Sequence, residues 1–209
     1  MGRTSDARDR LIKAAKDLTY ARGYTAVGVK DICEQAGVHK GSFYHFFPTK
    51  RDLLLAVIDA HVEWLNGIVA EAAQPELPPL ERIRRLFILI GDFDEQLVAS
   101  TGKMSGCPFG NLAAELNTRD EVIREKIDGV FDEAAGFLEQ QLIEARDAGD
   151  LENVDPSAGA RAILAYLEGL QLLAATRNSP GLVRSLAGGA LRLAELGGDE
   201  TRQANVQIH

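Results

Sequence analysis

Cysteine is nearly absent: the 209 residues hold only Cys33 and Cys107. Two thiols this far apart, with no further ligands at metal spacing, exclude a disulfide framework and a zinc site and fit a reducing compartment. Aromatic residues are scarce, at 6% of the chain, while Leu and Ala dominate, which favours helices over sheets. No unbroken run of the roughly 18 apolar residues that reads as a membrane span occurs, so no membrane partner is expected. The segment Met1–Asp9 is polar and lacks the apolar stretch of a secretory leader, so the expected location is cytoplasmic. The four histidines are not paired at ligand spacing. A phosphate-binding glycine loop, a zinc-protease helix, a nucleophile elbow and a dinucleotide fingerprint are all missing. No catalytic residue, metal or cofactor is therefore expected, and the chain is not read as an enzyme.

What is present is ordinary globular material, 45% hydrophobic, with an uneven charge. Residues 1–55 carry ten Lys/Arg against six acids, and the remainder thirteen against twenty-five, so a head of net +4 precedes a body of net −12. A basic module on an acidic domain suits a protein that touches nucleic acid through one end only.

Periodicity and punctuation predict an all-α fold of about nine helices. The first spans Ser5–Arg22 and is closed by Gly23; the second spans Val29–Ala36, followed by Gly37; the third spans His39–Phe46 and must stop at Pro48. Thr49 and Asp52 have capping-box spacing at the start of a long apolar helix, Lys50 to about Ala72. Pro79 opens a fifth helix ending near Ser100, and Cys107-Pro108 a short sixth. Thr118 and Glu121 repeat the capping-box spacing before a helix to about Ala148. Asp155-Pro156 and Ser179-Pro180 are each read as N-cap followed by proline, opening helices to Arg177 and Leu196. The expected organisation is a three-helix N-terminal helix-turn-helix domain over 1–50 and a six-helix C-terminal domain over 51–196. A disordered tail is expected over 197–209.

Val29–Phe47 has the make-up of a helix-turn-helix, with Gly37 at the turn and Val38 able to plug the core behind it. In the recognition segment, Phe43 and Phe47 are four apart and share the inward face. Lys40, Ser42, Tyr44 and His45 are left outside as hydrogen-bonding groups for bases or phosphates, and Gly41 clears room for close backbone approach. The run Ala36-Gly-Val-His-Lys-Gly-Ser-Phe-Tyr-His-Phe-Phe-Pro-Thr-Lys-Arg-Asp-Leu53 closely resembles the signature of the TetR family of bacterial regulators. Gly23-Tyr-Thr-Ala-Val-Gly-Val-Lys-Asp-Ile32 extends the likeness. The resemblance implies a transcriptional repressor acting on palindromic double-stranded operator DNA. It places Lys40 and Ser42 toward the groove, with Tyr44 and His45 on backbone or bases. Lys50 would hold a phosphate beside a helix N-terminus, and Thr25 and Lys30 would add backbone contacts. An activator of the same family, and an effector-free structural DNA-binding protein, are the alternatives.

The same resemblance implies an effector cavity in the C-terminal domain. Occupancy there would move the fourth helix and shift the recognition helices from their spacing of about 34–36 Å. Candidate lining residues are His61, Trp64, Phe87, Ile90, Phe109, Asn111, Phe131 and Tyr166, each equally readable as core. Cys107 precedes a helix start, where free N–H groups stabilise a thiolate, and Lys103 lies nearby. Met104-Ser-Gly-Cys-Pro-Phe-Gly-Asn-Leu-Ala-Ala-Glu115 is similar to a segment of an electrophile-responsive subgroup of the family. The effector is therefore expected to be a small molecule or an electrophile, with Cys107 a sensor, a pocket-lining residue or a buried hydrophobe. The last two helices, through Leu167, Leu170, Leu186, Gly189 and Leu193, are expected to form a homodimer.

Overall fold

The structure, a computed structural model, describes residues 2–152 and 154–196. The tail expected to be disordered, 197–209, lies outside the described residues. All regular structure among the described residues is helical: α1 (Gly2–Arg22), α2 (Val29–Ala36), α3 (Lys40–Phe46), α4 (Lys50–Ala72), α5 (Pro79–Thr101), α6 (Pro108–Leu116), α7 (Glu121–Asp147), α8 (Pro156–Arg177), α9 (Gly181–Ser185) and α10 (Ala187–Leu196).

These helices form two compact units. One takes in the chain up to Trp64 together with Pro108–Asp128; the other takes in Leu65–Cys107 together with the chain from Gly129 onward. Contacts thus group the chain differently from a cut at residue 50. The first half of α4, all of α6 and the start of α7 pack with the three N-terminal helices. That return of the chain over a long sequence separation has no local signature.

The first unit is built around Leu11, Leu18, Ile32, Phe43, Leu53, Ile58, Phe109, Leu112, Ile123 and Ile127, all buried. Burying apolar side chains of this size is worth about 1.5–3 kcal/mol each before chain entropy is charged against it. The second unit's core joins Ile83, Phe87, Leu138, Leu142, Ile163, Val183 and Ala190. There α5 packs on α9 and α10, and α8 on α10. Gly91 permits the close approach of α5 to α9, since a Cβ there would stand 3.1 Å from that of Arg184. Arg82, on α5, binds the second unit together. Its guanidinium donates to the carbonyls of Gln74 (3.1 Å), Leu77 (2.9 Å) and Pro75 (3.2 Å), and to Gln141 Oε1 (3.1 Å) and Glu144 Oε2 (2.8 Å) on α7.

Most punctuation falls where expected, with three corrections. Thr49 and Asp52 form a true capping box, with Asp52 N–H donating to Thr49 Oγ1 (3.1 Å) and Thr49 N–H to Asp52 Oδ2 (2.8 Å). Asp155 caps α8 by accepting from Ser157 and Ala158 N–H. The helix assigned to Thr118 is capped instead by Asp120, whose Oδ1 accepts from Ile123 N–H at 3.3 Å; Asp120 offers the same i to i+3 geometry one residue before the helix. Ser179 does not cap through its side chain, because Pro180 occupies the N-cap of a helix only five residues long. The single last helix is two, α9 and α10, because Leu186 leaves helical geometry at φ −106°, ψ 10°. Ten helices are therefore present among the described residues rather than nine.

Candidate nucleic-acid interface

The residues expected to contact DNA lie in the first unit. Gly37 takes the left-handed conformation (φ 61°, ψ 39°). Its N–H and that of Val38 return to the carbonyls of Glu34 (3.2 Å) and Cys33 (3.0 Å), so α2 ends in a tight reversal that only glycine adopts cheaply. Arg10 of α1 donates to the Ala36 carbonyl at 3.0 Å, placing a cation at the negative end of α2. These contacts fix the angle at which α3 leaves the turn.

On α3, Phe43 is fully buried and its ring stands 6.1 Å from that of buried Phe47. Lys40, Gly41, Ser42, Tyr44 and His45 are all exposed, so the helix presents one continuous polar row. Tyr44 is 48% exposed, its ring edge-on to Phe43 at 5.1 Å, with the Lys40 ammonium 6.0 Å from the ring centre. A Cβ at Gly41 would meet nothing within 4 Å. No internal packing requires glycine there, although glycine costs about 1 kcal/mol in a helix interior.

The flanking candidates are held differently. Lys30 is exposed and pairs with Glu34 at 3.7 Å. Thr25 and Lys50 both face a partner inside the unit. The Thr25 hydroxyl and N–H, with Tyr24 N–H (2.9 Å), converge on the Glu115 carboxylate of α6. Lys50 Nζ donates to the Tyr24 carbonyl at 2.5 Å and stands 3.8 Å over the Tyr24 ring. Burial pushes the Lys50 ammonium below the ordinary lysine range, while Glu115 and Asp31 hold it up. Glu115 is lowered on balance, its desolvation outweighed by the Thr25 and Tyr24 hydrogen bonds and the Lys50 charge. Glu115 went unnoticed in the sequence because its partners lie ninety residues away.

The effector candidates are divided between the units. Trp64 and Phe109 belong to the first unit, as do His61 and Asn111, which line a cleft of about 180 Å³. His61 is buried, edge-on to Phe109 at 6.0 Å, and burial followed by the Lys16 charge lowers its pKa to about 4. Phe87, Ile90, Cys107, Phe131 and Tyr166 belong to the second unit. Phe87 and Ile90 are core, and Tyr166 stacks near Phe87 at 6.2 Å while donating to the Leu186 carbonyl at 3.1 Å. Cys107 is half-buried, and its thiol is hydrogen-bonded to Glu168, an acid whose pKa is raised by burial.

Residues 11–57 match the bacterial regulatory proteins of the tetR family, and residues 79–188 match the tetracyclin repressor-like C-terminal domain. The chain belongs to the TetR family. It is 33% identical over 181 residues to the transcriptional regulator AcuR of Cereibacter sphaeroides, covering 86% of this chain and 81% of that one. It is 26% identical over 172 residues to the transcriptional repressor DhaR of Mycobacterium sp., covering 81% and 82% respectively. The crystal structure of a regulatory protein TetR from Rhodobacter sphaeroides superposes with TM-score 0.79 at 32% identity, covering 90% of this chain and 98% of the other. This TetR-family chain is thus a DNA-binding transcriptional regulator. Its α4 is long and apolar enough to cross a membrane by length and composition, a property missed by counting unbroken apolar runs. In this protein Leu53, Leu54, Val57 and Ile58 of that helix are core.

Proposed function

We propose that the protein is a repressor that binds a palindromic operator as a homodimer and is released by a small effector. The observation that carries this reading is the exposed row Lys40, Ser42, Tyr44 and His45 over a buried Phe43 and Phe47. Those side chains supply donors and acceptors for base edges and phosphates, and their backing by core fixes their direction. The tests are selection of an operator from random duplex DNA and measurement of its salt dependence. Six or more phosphate contacts per dimer would lower affinity about 10³-fold between about 50 and 200 mM salt. A flat dependence would overturn the reading. Repression is checked by placing the selected site across a promoter.

The dimer face we assign to α8 and the α9–α10 turn. Leu172 is 65% exposed, and Leu173 and Leu186 also face solvent, with small Ala165 and Gly169 alongside on α8. Leu167 and Leu170, counted at the interface from sequence, are buried in the chain's own core. Gly189 lies under the Tyr166 hydroxyl. Leu193 is half-buried.

For the effector, a second reading places an electrophile at Cys107. What supports it is the thiol's hydrogen bond to Glu168, a carboxylate able to take the proton as sulfur attacks an electrophilic carbon. Operator release by a thiol-specific electrophile in the wild type but not in Cys107→Ser is the expected result; equal retention by both would remove Cys107 from induction.

A further inference from the structure

We propose that the cleft lined by α1, α4 and α6 binds a small monocarboxylate between Lys16 and His61, and that occupancy weakens operator binding by loosening Glu115 from the Tyr24–Thr25 backbone. The effect on DNA rests on the regulator reading above; the binding step stands without it.

Lys16, Tyr20, His61, Asn111 and Glu115 line the cleft on its polar side, and Val57, Pro108 and Leu112 on its apolar side. The pattern suits a ligand with one charged end and a short hydrocarbon body. The volume of about 180 Å³ compares with the roughly 150 Å³ of a cavity that admits benzene.

The sign of the charge follows from the neighbours. Lys16 is half-buried and makes no ion pair among the described residues. Its sequence neighbour Asp17 is turned to Lys13 at 3.3 Å. Asp9, Asp59 and Glu63 line the groove on the outer side of Lys16, and Asp59 is paired with Lys126 at 2.8 Å. Glu115, the acid on the cleft side, is already occupied by the Tyr24 and Thr25 donors. Desolvation lowers the pKa of Lys16 and the Asp17 charge offsets this only in part, so the site bears a net cost for its half-buried cation. His61 adds an imidazole that burial, and then the Lys16 charge, keep neutral, and its ring N–H donates to none of the described residues. A carboxylate would accept from both groups, offsetting the cost of the Lys16 charge and satisfying the His61 N–H.

The link to the recognition motif is direct. Gly23 and Glu115 both line the cleft, and the Glu115 carboxylate holds the loop leading into α2 through the N–H groups of Tyr24 and Thr25. A second carboxylate in the cleft repels Glu115. Its departure frees the loop that spaces α1 from α2, and with it the orientation of α3. Reciprocity requires operator DNA to weaken ligand binding by the same factor.

The test uses the full chain with benzoate and butyrate as probes and benzamide and butyramide as uncharged controls. Calorimetry should show one site per chain for at least one acid at concentrations up to about 10 mM, preferred about tenfold or more over its amide. Lys16→Met should lose about tenfold in acid affinity while Lys16→Arg retains it. The bound acid should lower operator affinity several-fold in the wild type and leave Lys16→Met unaffected. Equal binding of acid and amide, no binding of either acid, or unchanged affinity in a folded Lys16→Met overturns the site. Should Lys16→Met not fold, the acid-to-amide comparison on the wild type still decides. Binding without any effect on a DNA-competent protein overturns the coupling. Selective acid binding by a chain that recognises no operator sustains the site and refutes the regulator reading instead.

Discussion

Tyr44 and Asp94 show how one side chain's surroundings set its use. Tyr44 is held edge-on by Phe43 yet stands half out of the protein, so its hydroxyl is offered outward at no cost to the core. Tyr44→Ala is expected to weaken operator binding by about tenfold, the worth of one good polar contact, with the melting temperature nearly unchanged. Unfolding would instead assign Tyr44 to the core. Asp94 is the opposite case. It is 2% exposed on α5, its Oδ2 is without a hydrogen bond, and burial raises its pKa to about 7 despite the Gln171 hydrogen bond. The folded state therefore holds a proton that the unfolded chain releases near pH 4. The associated stability is fully present below that value and is lost as pH rises through 7. Asp94→Asn, always neutral, should be more stable than the wild type at pH 8, by about 2–4 kcal/mol. The advantage should vanish below about pH 4. Denaturant melts of both proteins across that range provide the measurement.

Among elements, α5 and α6 contribute most beyond their own length. The turn between α4 and α5 has its carbonyls gathered by Arg82, whose side chain is only 15% exposed at its pair with Glu144. Arg82→Met keeps the apolar stem but strands those acceptors, and is expected to cost about 2–4 kcal/mol in chemical denaturation. A loss below about 0.5 kcal/mol would mean that water replaces the guanidinium. Helix α6 carries Glu115 to the loop before α2 and supplies Phe109 and Leu112 to the first unit's core. Its existence was legible from Cys107-Pro108, because proline at a helix start is a local signal. Its destination was not, because nothing in nine residues encodes a partner ninety positions back.

For the whole molecule, charge and exposed apolar area are separated along the chain. The basic excess falls within residues 1–55, where the polar row of α3 lies. The exposed leucines, Leu172, Leu173 and Leu186, fall on α8 and beside α9. A face with Leu172 65% exposed is costly in water for a lone chain. Leu172→Asp should yield a folded monomer in sedimentation, and its operator affinity should drop steeply because two half-sites are no longer held by one particle. A dimer that survives the substitution would move the interface elsewhere.

The helices, their caps at Thr49 and Asp155, the turn at Gly37 and the outward residues of α3 were determined by the sequence alone, since each depends on neighbours within about four positions. The splitting of the last helix at Leu186 and the cap at Asp120 were missed even at that range, because periodicity continues across Leu186 and Thr118 offers a competing cap. Tertiary structure alone decided which of Leu167, Leu170 and Leu172 face outward. It also decided that Thr25 and Lys50 are engaged inside the first unit, and that His61 and Asn111 share a cleft with Lys16. Those outcomes depend on which distant helices pack together, and helical periodicity defines an apolar face without naming what covers it.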